Sequence, residues 1–332
     1  MRGRSRCYRR LRAVPHESAQ AGRLGTPCAN RAACRFGNRG SRTKEGGGPR
    51  RAGAGRPPLL EGSPRKGRGL LQDQMISFSG GGRDLEGYLV VPEQSGPRPA
   101  VVVIHEIWGL DHHIQDVARR FAAQGYVALA PDLYTGEWHE AMKPENITAG
   151  MLFLRQASPE VQRDPAKMAA TLATRSPAEQ RALRTLMRVM SPDQRATFAV
   201  ELAGAVRYLR TRPDVNGAYV ATLGFCMGGG LAIGVATEVP DLWKTIIFYG
   251  ENPPLERVPA IHARVLGLYG GQDRRITDGV PEFHQAMEAL GKPFTYKVYG
   301  GAQHAFFNDT RPMYHPEAAA DAWQEVLRFL RA

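Results

Sequence analysis

The stretch 222-TLGFCMGGG-230 joins an apolar, β-branched run, 218-AYVATLGF-225, to a glycine-rich segment of helical character, 228-GGGLAIGVATE-238. It puts Cys226 on the turn between them in the order G-x-C-x-G. That is the pattern of a nucleophile elbow with cysteine in place of serine. A residue on a tight strand-to-helix turn takes strained backbone angles, and the neighbours two before and two after must lack bulk. Such a turn lifts the sulfur above the sheet edge. It also puts the sulfur at a helix N-terminus, where the dipole and free N–H groups favour a thiolate. The same nine residues also fit a small buried cysteine that lets a helix pack close to a sheet. The surrounding sequence decides between the two.

Upstream, 75-MISFSGGGRDLEGYLVVPE-93 predicts a hairpin and 100-AVVVIHE-106 a strand buried on both faces. The segment 111-DHHIQDVARRFAAQGY-126 predicts a capped amphipathic helix, and 126-YVALAPD-132 another strand. Residues 135–200 break this alternation. Four pairs, Ser158-Pro159, Asp164-Pro165, Ser176-Pro177 and Ser191-Pro192, each predict the start of a short helix with proline first, so the segment reads as a helical insertion. A helix over 195–211 then resumes the pattern. Downstream, strands are expected at 244-KTIIFYG-250, 263-ARVLGLYGGQD-273 and 294-FTYKVYG-300, with helices over 279–291 and 316–330. Alternating strands and helices predict one α/β domain with a mostly parallel sheet.

Enzymes built on such sheets place their chemistry at the carboxyl ends of the strands. Those ends read His105-Glu106, Asp132, Cys226, Asp273 and then His304. A nucleophile, an acid and a histidine in that order is the chain order of α/β-hydrolases. His304 would act as general base toward the thiol, and Asp273 would fix its tautomer. A redox pair needs C-x-x-C, but the fourth residue is Gly229. A zincin helix after His105-Glu106 needs histidine where Gly109 stands, and Cys226 has no ligand-type neighbours for zinc. Neither a metal nor an organic cofactor is expected. The stretch 103-VIHEIWGLDHHI-114 lies where such enzymes build the second half of an oxyanion hole, with the amides of Ile107 and Met227 as expected donors. Glu106 would then accept the thiol proton or hold the resting site inactive; the plainer reading has it capping a helix or pairing with an arginine of the insertion.

The chain has 332 residues, 42% hydrophobic and 23% charged, with a net charge of +12. Residues 1–70 hold 18 Lys/Arg against 3 Asp/Glu, whereas the other 262 hold 26 against 29. The basicity belongs to the N-terminal segment, and the remainder is slightly acidic. Residues 1–74, dense in Arg, Gly and Pro, read as disordered, or as a mis-called start upstream of Met75. A nucleic-acid-binding arm is the competing reading of that segment, weakened by its having only Tyr8 and Phe36 as aromatics. Cys226 is the only cysteine beyond Cys7, Cys28 and Cys34, which fits a reducing, cytoplasmic setting. No apolar run is long enough for a membrane span.

Together these residues resemble the dienelactone hydrolase family. The resemblance rests on 102-VVIHEIWGL-110, 121-FAAQGYVALAPDLY-134, 223-LGFCMGGG-230, 267-GLYGGQD-273, 298-VYGGAQHAFFN-308 and 314-YHPEAAADAWQEVLRFL-330, and covers 75–332. It implies an α/β-hydrolase fold with Cys226 as nucleophile, Asp273 and His304 completing the triad, and Glu106 controlling the protonation of the cysteine. It also implies the Ile107 and Met227 amides as oxyanion hole and a lactone or ester as small-molecule substrate, in a monomer or homodimer. Trp108, Tyr134 and Phe306 are candidate substrate contacts.

The family binds its substrate carboxylate with arginines, one of them closely following the histidine. Here that region reads 304-HAFFN-308, without it. Arg181, Arg184 and Arg188 of the insertion are candidate substitutes. A broad carboxylesterase or thioesterase on an apolar ester is the alternative. Trp138, Met151, Phe153 and Leu154 gathered over the site without an arginine would favour it. A nucleic-acid-binding protein acting through its basic tail, and a thiol sensor, are the readings from other classes.

Overall fold

The β-branched runs form the sheet that their composition predicts. The computed structural model describes residues 71–93 and 95–332, which lie within one compact unit. The basic segment up to residue 70, with the disorder, nucleic-acid and start-site readings attached to it, lies outside the described residues. The strands are β1 (Leu71–Gly80), β2 (Arg83–Pro92), β3 (Arg98–Ile104), β4 (Val127–Asp132), β5 (Val215–Phe225), β6 (Lys244–Phe248), β7 (Arg264–Gly270) and β8 (Phe294–Tyr299). The helices are α1 (His112–Ala123), α2 (Pro144–Gln156), α3 (Pro159–Arg163), α4 (Pro165–Ala173), α5 (Pro177–Met190), α6 (Pro192–Thr211), α7 (Met227–Glu238), α8 (Arg274–Thr277), α9 (Val280–Ala289) and α10 (Pro316–Arg331).

The sheet order is β1-β2-β4-β3-β5-β6-β7-β8. In sheet order the strands from β4 to β8 run parallel, and β2 alone runs against the rest, antiparallel to both β1 and β4. The parallel strands are apolar on both faces because both faces are covered. Along β3, Ala100, Val102 and Ile104 join a core containing α6, α7 and α9, while Val101 and Val103 join one containing α1 and α10. This is the two-residue period of a strand between two helical layers.

The caps behave as their residue types dictate. Asp111 accepts a hydrogen bond from the Ile114 amide and starts α1. Ser158, Asp164, Ser176 and Ser191 cap α3, α4, α5 and α6, each with proline in the first turn. Three details differ from the sequence reading. Ser191-Pro192 opens no separate short helix: α6 runs unbroken for 20 residues because Phe198, Leu202, Val206 and Leu209 carry one buried stripe through it. α2 begins at Pro144 after Lys143, a residue with no side-chain cap, and so lacked the Ser/Asp-Pro signal. The inserted helices share a small core of Phe153, Met168, Leu172 and Leu183. The hairpin also starts at Leu71, four residues before Met75, with Leu71–Gln74 paired along β2.

Arg83, in the hairpin, ties the insertion to the sheet. Its guanidinium makes a two-pronged pair with the buried Glu201 of α6, at 2.8 and 2.9 Å. It also donates to the carbonyls of Leu133 and Thr135 at 2.9 and 3.0 Å. A buried carboxylate met by both prongs of one guanidinium is the geometry that best offsets its desolvation.

Candidate active site

Cys226 stands between β5 and α7 at φ 54° and ψ −116°, with its thiol partly exposed. Its amide donates to the Phe248 carbonyl at 3.0 Å, which pins the turn to β6. The glycines are sterically obligatory. A Cβ on Gly224 would lie 1.9 Å from the Gly228 carbonyl oxygen, and one on Gly228 2.4 Å from that of Ile104. Side chains at these two positions would push α7 off the sheet and open the turn.

Asp273 follows β7 and His304 follows β8. His304 Nδ1 lies 2.5 Å from Asp273 Oδ2, an ion pair with the carboxylate largely shielded from water. Burial alone would lower the pKa of His304. The hydrogen bond with Asp273 and the neighbouring Cys226 sulfur outweigh burial and raise it from 6.5 to about 10. The ring is therefore an imidazolium at neutral pH, a cation beside the sulfur.

Backbone strain gathers here. Among the described residues, the non-glycine positions with positive φ are Cys226, Tyr249 at 40° and Ala305 at 63°. Tyr249 follows β6, and its ring stands edge-on to His304 with centroids 5.2 Å apart. Ala305 directly follows His304. Strained non-glycine backbone that clusters in one place marks a functional region.

Glu106, at the end of β3, is 3% exposed. Among the described residues it neither caps a helix nor pairs with an arginine. Tyr249 Oη donates to Oε1 at 3.2 Å and Asn308 Nδ2 donates to Oε2 at 2.9 Å. Burial raises its pKa against the opposing pull of His113 and of these two donors. His105, wholly buried, is structural: its Nδ1 lies 2.5 Å from the Glu106 carbonyl, and its Nε2 accepts from the Leu133 amide at 3.2 Å. Burial lowers its pKa and keeps the ring neutral. Tyr134 is buried too and donates to the Ile107 carbonyl at 2.9 Å, which orients the turn carrying the Ile107 amide. Neither the Ile107 nor the Met227 N–H donates to any group among the described residues.

The proposed substrate residues separate. Trp108 is half-buried and packs against the main core. Phe306 is fully buried against Phe248, Tyr249 and Tyr299, so its ring packs the core and does not face a substrate. Arg181, Arg184 and Arg188 lie exposed along α5. Arg188 stacks on Trp138, 4.5 Å from its ring centre, and no hydrogen bond or ion pair joins the three to the triad. Arg311, in the loop that begins at His304, holds its guanidinium 4.1 Å from the centre of the Trp108 ring, next in sequence to Ile107. Sequence reasoning missed Tyr249, Asn308 and Arg311. The first follows a strand end directly, and the others lie in the loop that begins at His304. Among the described residues no group of His, Cys, Asp or Glu could hold a metal ion, and no helix is long and apolar enough to cross a membrane.

The family model described as Dienelactone hydrolase family matches residues 85–332. A protein of Saccharolobus solfataricus described as "Putative carboxymethylenebutenolidase" is 39% identical over 262 residues, covering 78% of this chain and 98% of that protein. One of the same description from Escherichia coli K12 is 31% identical and covers 75% of this chain and 83% of its own length. Among solved structures, one titled as a "Putative Dienelactone Hydrolase" from Klebsiella pneumoniae aligns with a TM-score of 0.58 and 27% identity, covering 79% of this chain and 99% of that one. The matched span takes in the sheet from β2 onward, the elbow and both loops that carry Asp273 and His304. With that much of the chain accounted for, it belongs to the dienelactone hydrolase family and is a hydrolase acting on esters.

Proposed function

We propose that this hydrolase opens a lactone or cleaves a carboxylic ester by acyl transfer through Cys226, His304 and Asp273, an activity like the carboxymethylenebutenolidase named for its relatives. One observation carries the reading: a histidine held 2.5 Å from a shielded aspartate, with its pKa raised partly by the cysteine of a strained elbow. The Cys226 thiolate attacks the acyl carbon. The carbonyl oxygen takes the negative charge in front of the free Ile107 and Met227 amides. The carbon–oxygen bond to the leaving group breaks, and the His304 imidazolium gives it a proton. Water then attacks the thioester as neutral His304 takes its proton. The carbon–sulfur bond breaks, and the thiolate–imidazolium pair is restored.

The rim favours a substrate that carries an anionic group. Phe153 lies in the small core of the inserted helices under Arg175, whereas Trp138 belongs to the main core and Met151 packs against that one; Leu154 packs against both. Phe153 thus falls in a different cluster from Trp138 and Met151. Arg311, over Trp108, keeps an Nε with no partner among the described residues, and Asp111 stands only at 4.0 Å from its guanidinium. The purified chain and its Cys226→Ser, His304→Ala and Arg311→Leu variants are assayed on p-nitrophenyl acetate and a carboxylate-bearing dienelactone. The first two variants should lose turnover of both substrates. Arg311→Leu should raise KM for the dienelactone about tenfold and leave the neutral ester nearly unchanged. Full activity in His304→Ala removes the mechanism, and equal effects of Arg311→Leu on both substrates remove the anion reading.

A further inference from the structure

Glu106 is a buried carboxylate with no cation in hydrogen-bond contact. Among the described residues its hydrogen bonds come from two uncharged donors, one for each oxygen. The stronger by distance is Asn308, itself 0% exposed. Its amide orientation is fixed from behind: Oδ1 accepts from the Thr310 amide at 3.1 Å and the Thr310 hydroxyl at 2.7 Å. The NH₂ end must therefore face Glu106. Asn308 lies in the loop that carries His304, and its backbone N–H closes that loop by donating to the Ala305 carbonyl at 3.0 Å. Tyr249 likewise touches His304 with its ring while its hydroxyl holds Glu106. Both supports of the carboxylate thus belong to segments in contact with the histidine or its own loop.

Several charged groups surround Glu106. Buried His113 of α1 favours its charge and Asp111, at the start of α1, opposes it. Asp309 pairs with His113 at 3.4 Å. Tyr249 feels both Glu106 and the Cys226 sulfur, neutral His105 adjoins in sequence, and the His304 imidazolium lies across the Tyr249 ring. Without Asn308, Glu106 keeps one long hydrogen bond in a buried setting, which favours the protonated acid.

We propose that Asn308 is a positioning residue: its donation to Oε2, locked by Thr310, holds Glu106 as an oriented carboxylate and so governs how readily Cys226 reacts. The path to the cysteine is Tyr249, whose hydroxyl holds Glu106 while its ring stands edge-on to His304, the partner of the Cys226 sulfur; the proposal rests on Cys226 being the nucleophile. The test is the rate of Cys226 alkylation by iodoacetamide against pH in the full chain, with no substrate present. Wild type should show a limb that Glu106→Gln abolishes. Asn308→Leu should move that limb to higher pH by about one pH unit, since a charged acceptor loses its donor. Asn308→Asp should move it further by adding a like charge. Thr310→Val, which leaves the amide in place but unlocked, should move it the same way by less, and serves if Asn308→Leu does not fold. A limb unmoved in Asn308→Leu and Thr310→Val, or absent from wild type, overturns the proposal. Ester turnover surviving in Cys226→Ser would instead sink the mechanism above and leave the alkylation result standing.

Discussion

Two shielded carboxylates stand at the same edge of one sheet and meet different partners. Asp273, after β7, faces a histidine ring at 2.5 Å. Glu106, after β3, faces a phenol and a carboxamide, neither of which carries charge. The pairing with Asp273 helps to raise His304 to about 10, whereas burial dominates at Glu106 and pushes that carboxyl up. Residue type therefore does not assign the task. The partner does: Asp273 helps to raise the pKa of the ring it meets, whereas at Glu106 burial outweighs two uncharged donors and raises the pKa of the carboxyl itself.

The contrast can be broken most directly at Asp273. Asp273→Asn leaves the geometry and removes the charge that selects the tautomer, so kcat should fall about 10³- to 10⁴-fold. A fall no larger than that of Glu106→Gln would mean that the two acids share one role. Glu106→Gln should cost about tenfold in kcat/KM, the scale of one hydrogen bond to a charged group.

A thermal-melting series over pH separates the two environments without substrate. His304 has a folded pKa raised from 6.5 to about 10, so its contribution to stability is complete below pH 6.5 and is lost as pH rises through about 10. The Tm advantage of wild type over His304→Gln should shrink across that window. Glu106 is also raised, from 4.5, so folding costs more as pH climbs above 4.5 and the buried acid must ionise. Glu106→Gln should gain on wild type starting from that lower pH. Coincident windows would erase the distinction. The smallest expected effect is Tyr249→Phe. It removes the longer of the two donors to Glu106, and kcat/KM should fall only about two- to fivefold.

The elbow was readable because its constraint is local: two glycines and a cysteine must follow one another on one turn. The helix starts of the insertion were readable for the same reason, since a capping side chain acts within three residues. The surroundings of Glu106 were not. Its donors lie 143 and 202 positions away, and nothing near Glu106 in the sequence announces them. Tyr249 hid its strain because a tyrosine at positive φ is held there by tertiary contacts and not by its own propensity. Residues Gln72–Gln74 carry no apolar alternation, so only pairing along β2 reveals them as strand. The Ser191-Pro192 start was right locally, yet the buried stripe of α6 overrode the break expected after it.

The Arg83 guanidinium grips the Leu133 and Thr135 carbonyls where the insertion leaves the sheet and Glu201 where it returns. Entrance and exit of some sixty-five residues are thus stapled at one point. The inserted helices then form an exchangeable cassette. A graft of different length or lining can be joined at those two stems while the sheet, the elbow and both carboxylates keep their registers.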